Sequence, residues 1–508
     1  MKAIRFSLFI SVIIVVLIAF PGRSDAMSIM ASGWSQDQRV PGYLDDTSTP
    51  FLVADRNRTV HAFATQWVGD GADRRKGIFY RQWTLADGWT RPVNIVLSPA
   101  GGDADVLGVF LSSDGIFHMI FWGNSKQGNS IFYTNAFAAN ADNASAWAIP
   151  ESIGEDAANP GYGIIEGNDQ GNVVVVYNGT AEGNGLYIIQ SNNEGHNWSK
   201  ILPLFWTNDP TTMAYTIKSY RGKSDMVHVV WGVDVMETGV YDSLYYARID
   251  MKTGEWSKPL LLDKRPDIER YFGPSVPAIV DNGNNVVIFY NGGNPFSGGI
   301  VPVGRPTLLA LWSSDDGQTW GNVTQPVPYL TGQSGEQALV VDSNQVVHAI
   351  ANMRIDRLVD SEYQPIYGMW HSEFKDGIWR APERYMTTIA PVRINAVVSQ
   401  GNVLLAAWVE DSGEGSDGVW YSYTMLDSPE LPVIPLPSAP AQQETPALVD
   451  TPTTILETPI SPTNVPLNLF DKENTPITNP QLPILIAAVP ALGFIIVILI
   501  RAVHVRRK

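Results

Sequence analysis

Five arginines in the second half of the chain could together bind an anionic ligand, namely Arg270, Arg305, Arg354, Arg357 and Arg393. A guanidinium presents a planar fork of donors that can hold a carboxylate through two parallel hydrogen bonds. Arg270 and Arg393 lead into apolar segments, whereas the other three lie in the two longest loops that the sequence predicts. This grouping predicts an anion-binding pocket. The alternative is a solvated rim of loop charges.

Carboxylates and a tyrosine accompany these arginines. Tyr271 adjoins Arg270, Glu336 leads into the next apolar segment, and Asp46 leads into the first one. A tyrosine becomes a nucleophile only when a neighbouring carboxylate removes its proton, because its unperturbed pKa is about 10. These three residues are therefore the candidates for catalysis if the pocket belongs to an enzyme.

A repeat of about 57 residues determines where the candidate residues lie. Each unit contains an apolar strand, a polar turn, a second apolar strand, a variable loop and a third strand, and it closes with a turn before a tryptophan. These tryptophans are Trp34, Trp89, Trp147, Trp198, Trp256, Trp320 and Trp379. Four short strands in each unit predict an all-β fold, a β-propeller rather than a sandwich.

The propeller prediction also places the candidate site. The segments that lead into the first strands and the loops between the second and third strands share one face, which we call the loop face. The turns before the tryptophans and the turns between the first two strands share the opposite face, the turn face. All the arginines, carboxylates and the tyrosine named above are expected on the loop face.

The number of blades follows from the two ends of the repeat. The last unit, residues 394–425, has three strands and no tryptophan strand, whereas Gly33–Ser35 has the missing sequence. We therefore predict seven blades, the last completed by the N-terminal strand, which removes two free sheet edges. Six blades plus a separate N-terminal segment is the alternative.

The turn before the tryptophan resembles the Asp-box, or BNR repeat, of the sialidase-like propellers. Residues 313–320 read Ser-Ser-Asp-Asp-Gly-Gln-Thr-Trp, and residues 191–198 read Ser-Asn-Asn-Glu-Gly-His-Asn-Trp. As a repeat pattern the resemblance covers nearly all of residues 32–425. It implies the propeller fold more strongly than any activity, because the motif lies in a structural turn.

A sialidase resemblance implies a glycosidase in which three arginines hold the sugar carboxylate, a tyrosine assisted by a glutamate is the nucleophile, and an aspartate is the acid/base. Carried to this chain, Tyr271 would be the nucleophile and Glu336 its helper, and Asp46 the third catalytic candidate. Arg270, Arg393 and one of Arg305, Arg354 or Arg357 would hold the carboxylate. Ser48 and Ser275 stand where the family has its first arginine.

We therefore predict a propeller that binds glycan or protein ligands on its loop face. A sialidase-like exo-glycoside hydrolase acting on anionic sugars is the alternative, and a purely structural surface protein is a third reading. His61, His118, His228 and His348 occupy the same position in four units. Metal ligands must converge, so we expect structural roles for these histidines and no metal or other cofactor.

The ends of the chain predict export and a single membrane anchor. Lys2, Arg5 and the apolar run 6–20 are typical of a signal peptide, with an uncleaved anchor as the alternative. The 19 uncharged residues 482–500 can cross a bilayer, and the basic residues after them are expected in the cytoplasm. The predicted organisation is a signal peptide at 1–26, the propeller at 27–427, a Pro/Thr-rich spacer at 428–481, a transmembrane helix at 482–500 and a basic tail at 501–508.

Composition restricts the partners further. The formal net charge of −17 argues against nucleic acid, which requires a basic surface. The chain has no cysteine, so an exported domain of this size must be held together by its apolar core.

Overall fold

A computed structural model describes residues 33–99, 101–126, 128–207, 209–264, 273–297, 303–327, 331–359, 362–386, 391–410 and 417–439. Within these ranges the strands form seven sheets, which are the blades of a β-propeller. The predicted signal peptide, transmembrane helix and basic tail lie outside the described residues. No helix in the described ranges is long and apolar enough to cross a membrane.

The strands follow the predicted order, although blade 5 has three strands rather than four within the described residues. Strand β1 is Gln38–Arg39. Blade 1 contains β2 (Phe51–Ala54), β3 (Val60–Val68), β4 (Arg75–Thr84), β5 (Gly88–Trp89) and β6 (Val93–Leu97). Blade 2 contains β7 (Ala104–Leu111), β8 (Ile116–Ser125), β9 (Gly128–Phe137) and β10 (Glu151–Gly154). Blade 3 contains β11 (Gly163–Gly167), β12 (Val173–Gly179), β13 (Gly185–Ser191) and β14 (Leu202–Trp206).

The second half of the ring repeats this arrangement. Blade 4 contains β15 (Thr212–Arg221), β16 (Met226–Val235), β17 (Val240–Asp250) and β18 (Leu260–Lys264). Blade 5 contains β19 (Ser275–Asp281), β20 (Val286–Gly293) and β21 (Pro306–Ser313). Blade 6 contains β22 (Thr331–Val341), β23 (Val347–Val359), β24 (Glu362–Lys375), β25 (Ile378–Trp379) and β26 (Glu383–Met386). Blade 7 contains β27 (Pro391–Ser399), β28 (Val403–Glu410) and β29 (Gly418–Met425). Short 3₁₀ turns span Gly71–Asp73, Ala138–Asn140 and Ala144–Ala146.

The core lies between the blades, because both faces of each sheet pack against a neighbour. The second strands are therefore mostly apolar rather than alternating, and every residue of β12 is buried. Phe63 of blade 1 and Phe117 of blade 2 meet edge to face across one such interface, with ring centroids 5.2 Å apart. The innermost strands β2, β7, β11, β15, β19, β22 and β27 contact one another in a closed ring.

The N-terminal strand completes blade 7, as predicted. Strand β1 pairs with β29 in antiparallel register, with Gln38 opposite Tyr421, and Trp34 bridges Thr424. The Trp34 side chain is buried and stacks on Tyr385 of blade 6, with centroids 3.9 Å apart. The prediction of seven blades is confirmed, and the ring is closed by the N-terminal segment.

The turns at residues 191–198 and 313–320, which match the repeated pattern best, share one set of hydrogen bonds. Ser313 Oγ accepts from the Gly317 amide at 2.9 Å, and Asp315 Oδ1 accepts from the Thr319 amide at 2.8 Å. The hydrogen bonds that the Asp315 carboxylate accepts, led by the one from the Thr319 hydroxyl, lower the pKa of Asp315 to about 2. The turn at residues 191–198 repeats the pattern, with Asn193 as the acceptor in place of an aspartate. Gly317 has a φ of +74° and a Cβ there would lie 1.9 Å from the Tyr246 hydroxyl, so the turn packs directly on the preceding blade.

The chain that follows β29 packs on the turn face. The Leu431 amide donates to the Gln400 carbonyl at 2.7 Å, and the Ile434 amide donates to the Arg56 carbonyl at 2.9 Å. Leu436 packs against the apolar interface between blades 1 and 2. The first residues of the predicted spacer therefore bind to the propeller.

Candidate functional site

The loop face gathers six side chains from three separate segments around Trp67, which stands at the end of β3. We call this group the Trp67 cluster, and it consists of Asp46, Trp67, Arg74, Lys76, Asp103 and Asp105. The two aspartates of blade 2 reach Lys76 of blade 1, and Asp46 reaches Arg74. The contacts show that the leading segments and the loops between second and third strands share a face.

Trp67 is half-buried and lies beneath two cations. Arg74 Cζ is 4.5 Å from the indole centroid and Lys76 Nζ is 5.4 Å from it. Both distances are within the range in which a cation is attracted to an aromatic face. Arg74 Nη2 also lies 3.3 Å from Asp46 Oδ2, and both side chains stay largely exposed. Exposed hydrogen-bond donors of Arg74 thus lie over an aromatic ring.

The ammonium group of Lys76 forms ion pairs with two carboxylates, those of Asp103 and Asp105. Lys76 Nζ lies 2.8 Å from Asp103 Oδ1 and 2.9 Å from Asp105 Oδ1. Burial alone would lower the pKa of Lys76, but the hydrogen bonds and charges of the two aspartates outweigh it and raise that pKa. Burial raises the pKa of Asp105, because Lys76 is shared with Asp103 and compensates only part of the cost. Each carboxylate oxygen can accept more than one hydrogen bond, so Asp103 and Asp105 keep acceptor capacity for a ligand.

Bulges in the innermost strands aim side chains away from the regular ladder. Thr216, Val276 and Arg393 have φ values of +50°, +48° and +52°, each at a shift of register. Positive φ at a β-branched or bulky residue costs on the order of 1–3 kcal/mol and is concentrated at functional sites. Arg393 is exposed, and its charge acts on Asp105 of the Trp67 cluster.

The sequence reasoning missed Asp234, which lies on the loop-face end of β16. Its side chain is 8% exposed, and its Oδ1 has no hydrogen-bond partner among the described residues. Burial raises the pKa of Asp234 to about 6. The Tyr162 and Tyr215 rings meet edge to face at 5.3 Å, and the charge of Asp234 acts on Tyr215. The available signal was an acidic residue within the otherwise apolar run 227–235.

The predicted site residues are described to different extents. Asp46 joins the Trp67 cluster, and Arg305 is exposed after the loop that leads to β21. Arg270 and Tyr271 lie outside the described residues. The backbone of Glu336 lies in β22 and that of Arg354 and Arg357 in β23, but their side chains are not described. Convergence of the five arginines therefore stays a prediction.

Each of the four repeated histidines forms a hydrogen bond with a tyrosine or histidine side chain of the neighbouring strand. His61, His118 and His228 place Nδ1 at 2.8, 2.7 and 2.7 Å from the hydroxyls of Tyr80, Tyr133 and Tyr246. His348 Nδ1 lies 2.9 Å from His371 Nε2. These pairs are on different blades, so they join strands within each blade rather than converge on one site.

The fold is found in proteins of known structure. A lectin from Burkholderia pseudomallei is 12% identical, with a TM-score of 0.53 over 77% of this chain and 99% of that chain. An ulvan lyase, a polysaccharide lyase, is 12% identical, with a TM-score of 0.49 over 77% and 96%. A mutant of AofleA from Arthrobotrys oligospora is 13% identical, with a TM-score of 0.40 over 69% and 90%. No protein-family model and no curated protein matches the chain.

The chain is thus a seven-bladed β-propeller with structural neighbours among glycan-binding and glycan-processing proteins. At such low identity the similarity shows the fold alone. The resemblance of its turns to the Asp-boxes of sialidases stays a prediction.

Proposed function

We propose that the protein is a glycan-binding propeller and that the Trp67 cluster is its binding site. The observation that carries the proposal is the half-buried indole of Trp67 with Arg74 and Lys76 over its ring and with carboxylates in reach. The similarity to a lectin supports only the capacity of this fold to hold such a site.

The chemistry of the cluster suits a sugar. One face of a pyranose ring is lined by C–H groups and packs on a flat aromatic surface, while its hydroxyls need polar partners. Asp103 and Asp105 accept hydrogen bonds from hydroxyls, and charged acceptors form the stronger bonds. Arg74 has exposed donors for ring, hydroxyl or carboxylate oxygens. A sugar that displaces the exposed Arg74 side chain from the indole would meet one apolar platform and both kinds of hydrogen-bonding partner.

Replacing Trp67 by alanine is expected to weaken glycan binding by about 30-fold or more, because loss of a central aromatic contact costs about 2 kcal/mol or more. The full-length protein is screened on an array of neutral and acidic glycans, and the affinity for the best ligand is measured by calorimetry. Asp103→Asn is expected to lower the affinity for the same ligand while leaving the stacking contact in place.

Trp206→Ala is the matched control, since Trp206, which is 44% exposed, lies on the outer strand of blade 3. Its affinity should equal that of the parent protein. Full affinity in Trp67→Ala, with the melting temperature unchanged, would show that the glycan binds elsewhere.

A sialidase-like glycoside hydrolase is the second candidate function, and Asp234 is the observation in its favour. A general acid needs a pKa close to the working pH, and the pKa of Asp234, raised by burial to about 6, meets this requirement beside Tyr215. The same preparation is assayed on a fluorogenic sialoside. Turnover that Asp234→Asn or Tyr271→Phe abolishes would favour the hydrolase, and binding without turnover would favour the lectin-like protein.

We also propose that the propeller is held outside the cytoplasm by the apolar segment 482–500. The support is its length without charge and the basic residues that follow. The full-length protein is expected in the membrane fraction, with its propeller cleaved by protease added to intact cells, and a chain that stops at residue 481 is expected to be released. Recovery of the full-length protein in the soluble fraction would contradict this.

A further inference from the structure

His228 differs from His61 in that its second ring nitrogen has no hydrogen-bond partner among the described residues, and from His348 in that the carboxylate nearest this nitrogen belongs to the next blade. Its side chain is 0% exposed, and Nε2 forms no hydrogen bond within the described part of the chain. By contrast, His61 Nε2 lies 3.2 Å from the Asp55 carboxylate of its own blade. A buried nitrogen without a partner costs on the order of 1–3 kcal/mol, so a ligand at Nε2 would remove a real penalty.

The space in front of Nε2 exists because of a glycine. Asp55, Asn168, Asn282 and Asp342 hold the first position of the turn between the first two strands and accept hydrogen bonds from amides of that turn. Gly222 holds this position in blade 4. Its amide donates to the carbonyl of the residue four positions later, as the amides of Asp55 and Asp342 also do. A Cβ on Gly222 would lie 3.3 Å from His228 Nε2 and 2.4 Å from Asp281 Oδ2.

Two carboxylates of blade 5 face this space. One oxygen each of Asp281 and Asp316 and a ring nitrogen of His228 all lie within 4.8 Å of one another. Asp316 Oδ1 is 3.4 Å from His228 Nε2, whereas its Oδ2 lies 3.9 Å from Arg248. Asp281 Oδ1 accepts from the Gly283 amide at 2.7 Å, which leaves Oδ2 directed toward Gly222.

We propose that His228, Asp281 and Asp316 bind a divalent transition-metal ion, with Zn²⁺ as the best match, between blades 4 and 5. One imidazole and two carboxylates are ligands that Zn²⁺ accepts, and they leave a fourth position for water. Both aspartates are only half-buried, so an ion can enter from the turn face. This site replaces the expectation that all four repeated histidines have purely structural roles.

The surroundings prepare His228 for this role. The Tyr246 hydroxyl, 2.7 Å from Nδ1, can accept a hydrogen bond from Nδ1–H, which leaves the Nε2 lone pair for the metal. Since Asp316 belongs to the Asp-box turn of blade 5, the ion would link that turn to blade 4.

The test measures zinc directly and does not depend on the glycan proposal. Full-length protein is stripped with a chelator, dialysed against Zn²⁺ at pH 7 and analysed for metal content, and affinity is measured by calorimetry. One Zn²⁺ per chain is expected, with a higher melting temperature than the stripped protein. Co²⁺ in place of Zn²⁺ is expected to give the visible absorption of a four-coordinate site.

The variants identify the ligands. Asp281→Asn and Asp316→Asn are expected to weaken zinc binding by at least about 100-fold, since loss even of an outer partner of a metal ligand costs 10–100-fold. Gly222→Ala is expected to block the site by volume alone. Asp225→Asn is the control, because Asp225 lies in the same turn as Gly222 with its carboxylate near Arg221 and Lys252.

Two results would overturn the proposal. The first is the absence of stoichiometric zinc in the stripped and reloaded parent protein. The second is parental zinc affinity in Asp281→Asn and Asp316→Asn, each with an unchanged melting temperature without metal. Zinc retained in those variants would belong to another group, such as His348 and His371.

Discussion

Replacing Trp34 by alanine is expected to destabilise the propeller by about 3–5 kcal/mol, the usual range for a large aromatic side chain removed from a core. Trp34 is 2% exposed and stacks on Tyr385 at 3.9 Å, with the His371 ring edge 5.6 Å away. Its strand is also what closes the ring, so losing this contact frees the outer edge of blade 7. The free energy of unfolding of the full-length protein in denaturant, with its melting temperature, provides the measurement.

Trp320→Ala is the comparison, since Trp320 ends the turn at residues 313–320, which most resembles an Asp-box. Its ring is only half-buried and meets Tyr246 edge to face at 4.8 Å, so a smaller loss of stability is expected. An unfolding midpoint unchanged in Trp34→Ala, or a larger loss in Trp320→Ala, would show that the N-terminal strand contributes little to closure.

Acidification from pH 6.5 to pH 4 is expected to destabilise the protein steeply through its buried histidines. Burial, with a smaller effect from the charge of His196, lowers the pKa of His118 to about 4, and burial with the charge of His348 lowers that of His371 to about 3. Since the unfolded pKa is about 6.5, the unfolded state binds more protons in this window. Stability is therefore complete above pH 6.5 and declines by about 1.4 kcal/mol per pH unit for each such histidine.

Substitution of single histidines measures how much each contributes to the loss of stability at acidic pH. In His118→Gln the free energy of unfolding should fall less steeply between pH 6.5 and pH 4, with a difference of roughly 3 kcal/mol across the window. His196→Gln, at an exposed position, should change the slope only slightly. A parental slope in His118→Gln would mean that other groups determine the acid sensitivity.

The repeat made the fold predictable from the sequence. Strands, turns and tryptophans recur at a nearly constant interval, so each unit repeats the same local preferences, and agreement between local preference and fold is what a foldable sequence shows. The closing strand was predictable because residues 394–425 lack a tryptophan strand that Gly33–Ser35 supply. The loop face followed from the order of strands, and Asp46 and Asp103 lie on it as expected.

The Trp67 cluster and the site beside Gly222 could not be predicted, because they depend on distances between residues that are far apart in the sequence. Trp67 reads in sequence as the end of an apolar strand, and only the folded chain places Asp103 and Asp105, from the next blade, beside Lys76. Gly222 reads as a turn residue, and its missing side chain matters only because Asp281, far along the chain, faces the same space.

The sequence by itself therefore determined the architecture, the closure and the face on which Asp46 and Asp103 lie, because these follow from periodic, local preferences. The tertiary structure alone decided which charges are shared, as at Lys76, and which carboxylate is buried, as at Asp234. It also decided that His228 Nε2 faces carboxylates of another blade. Burial and distance between segments set pKa values and contacts, and both arise only when the blades pack together.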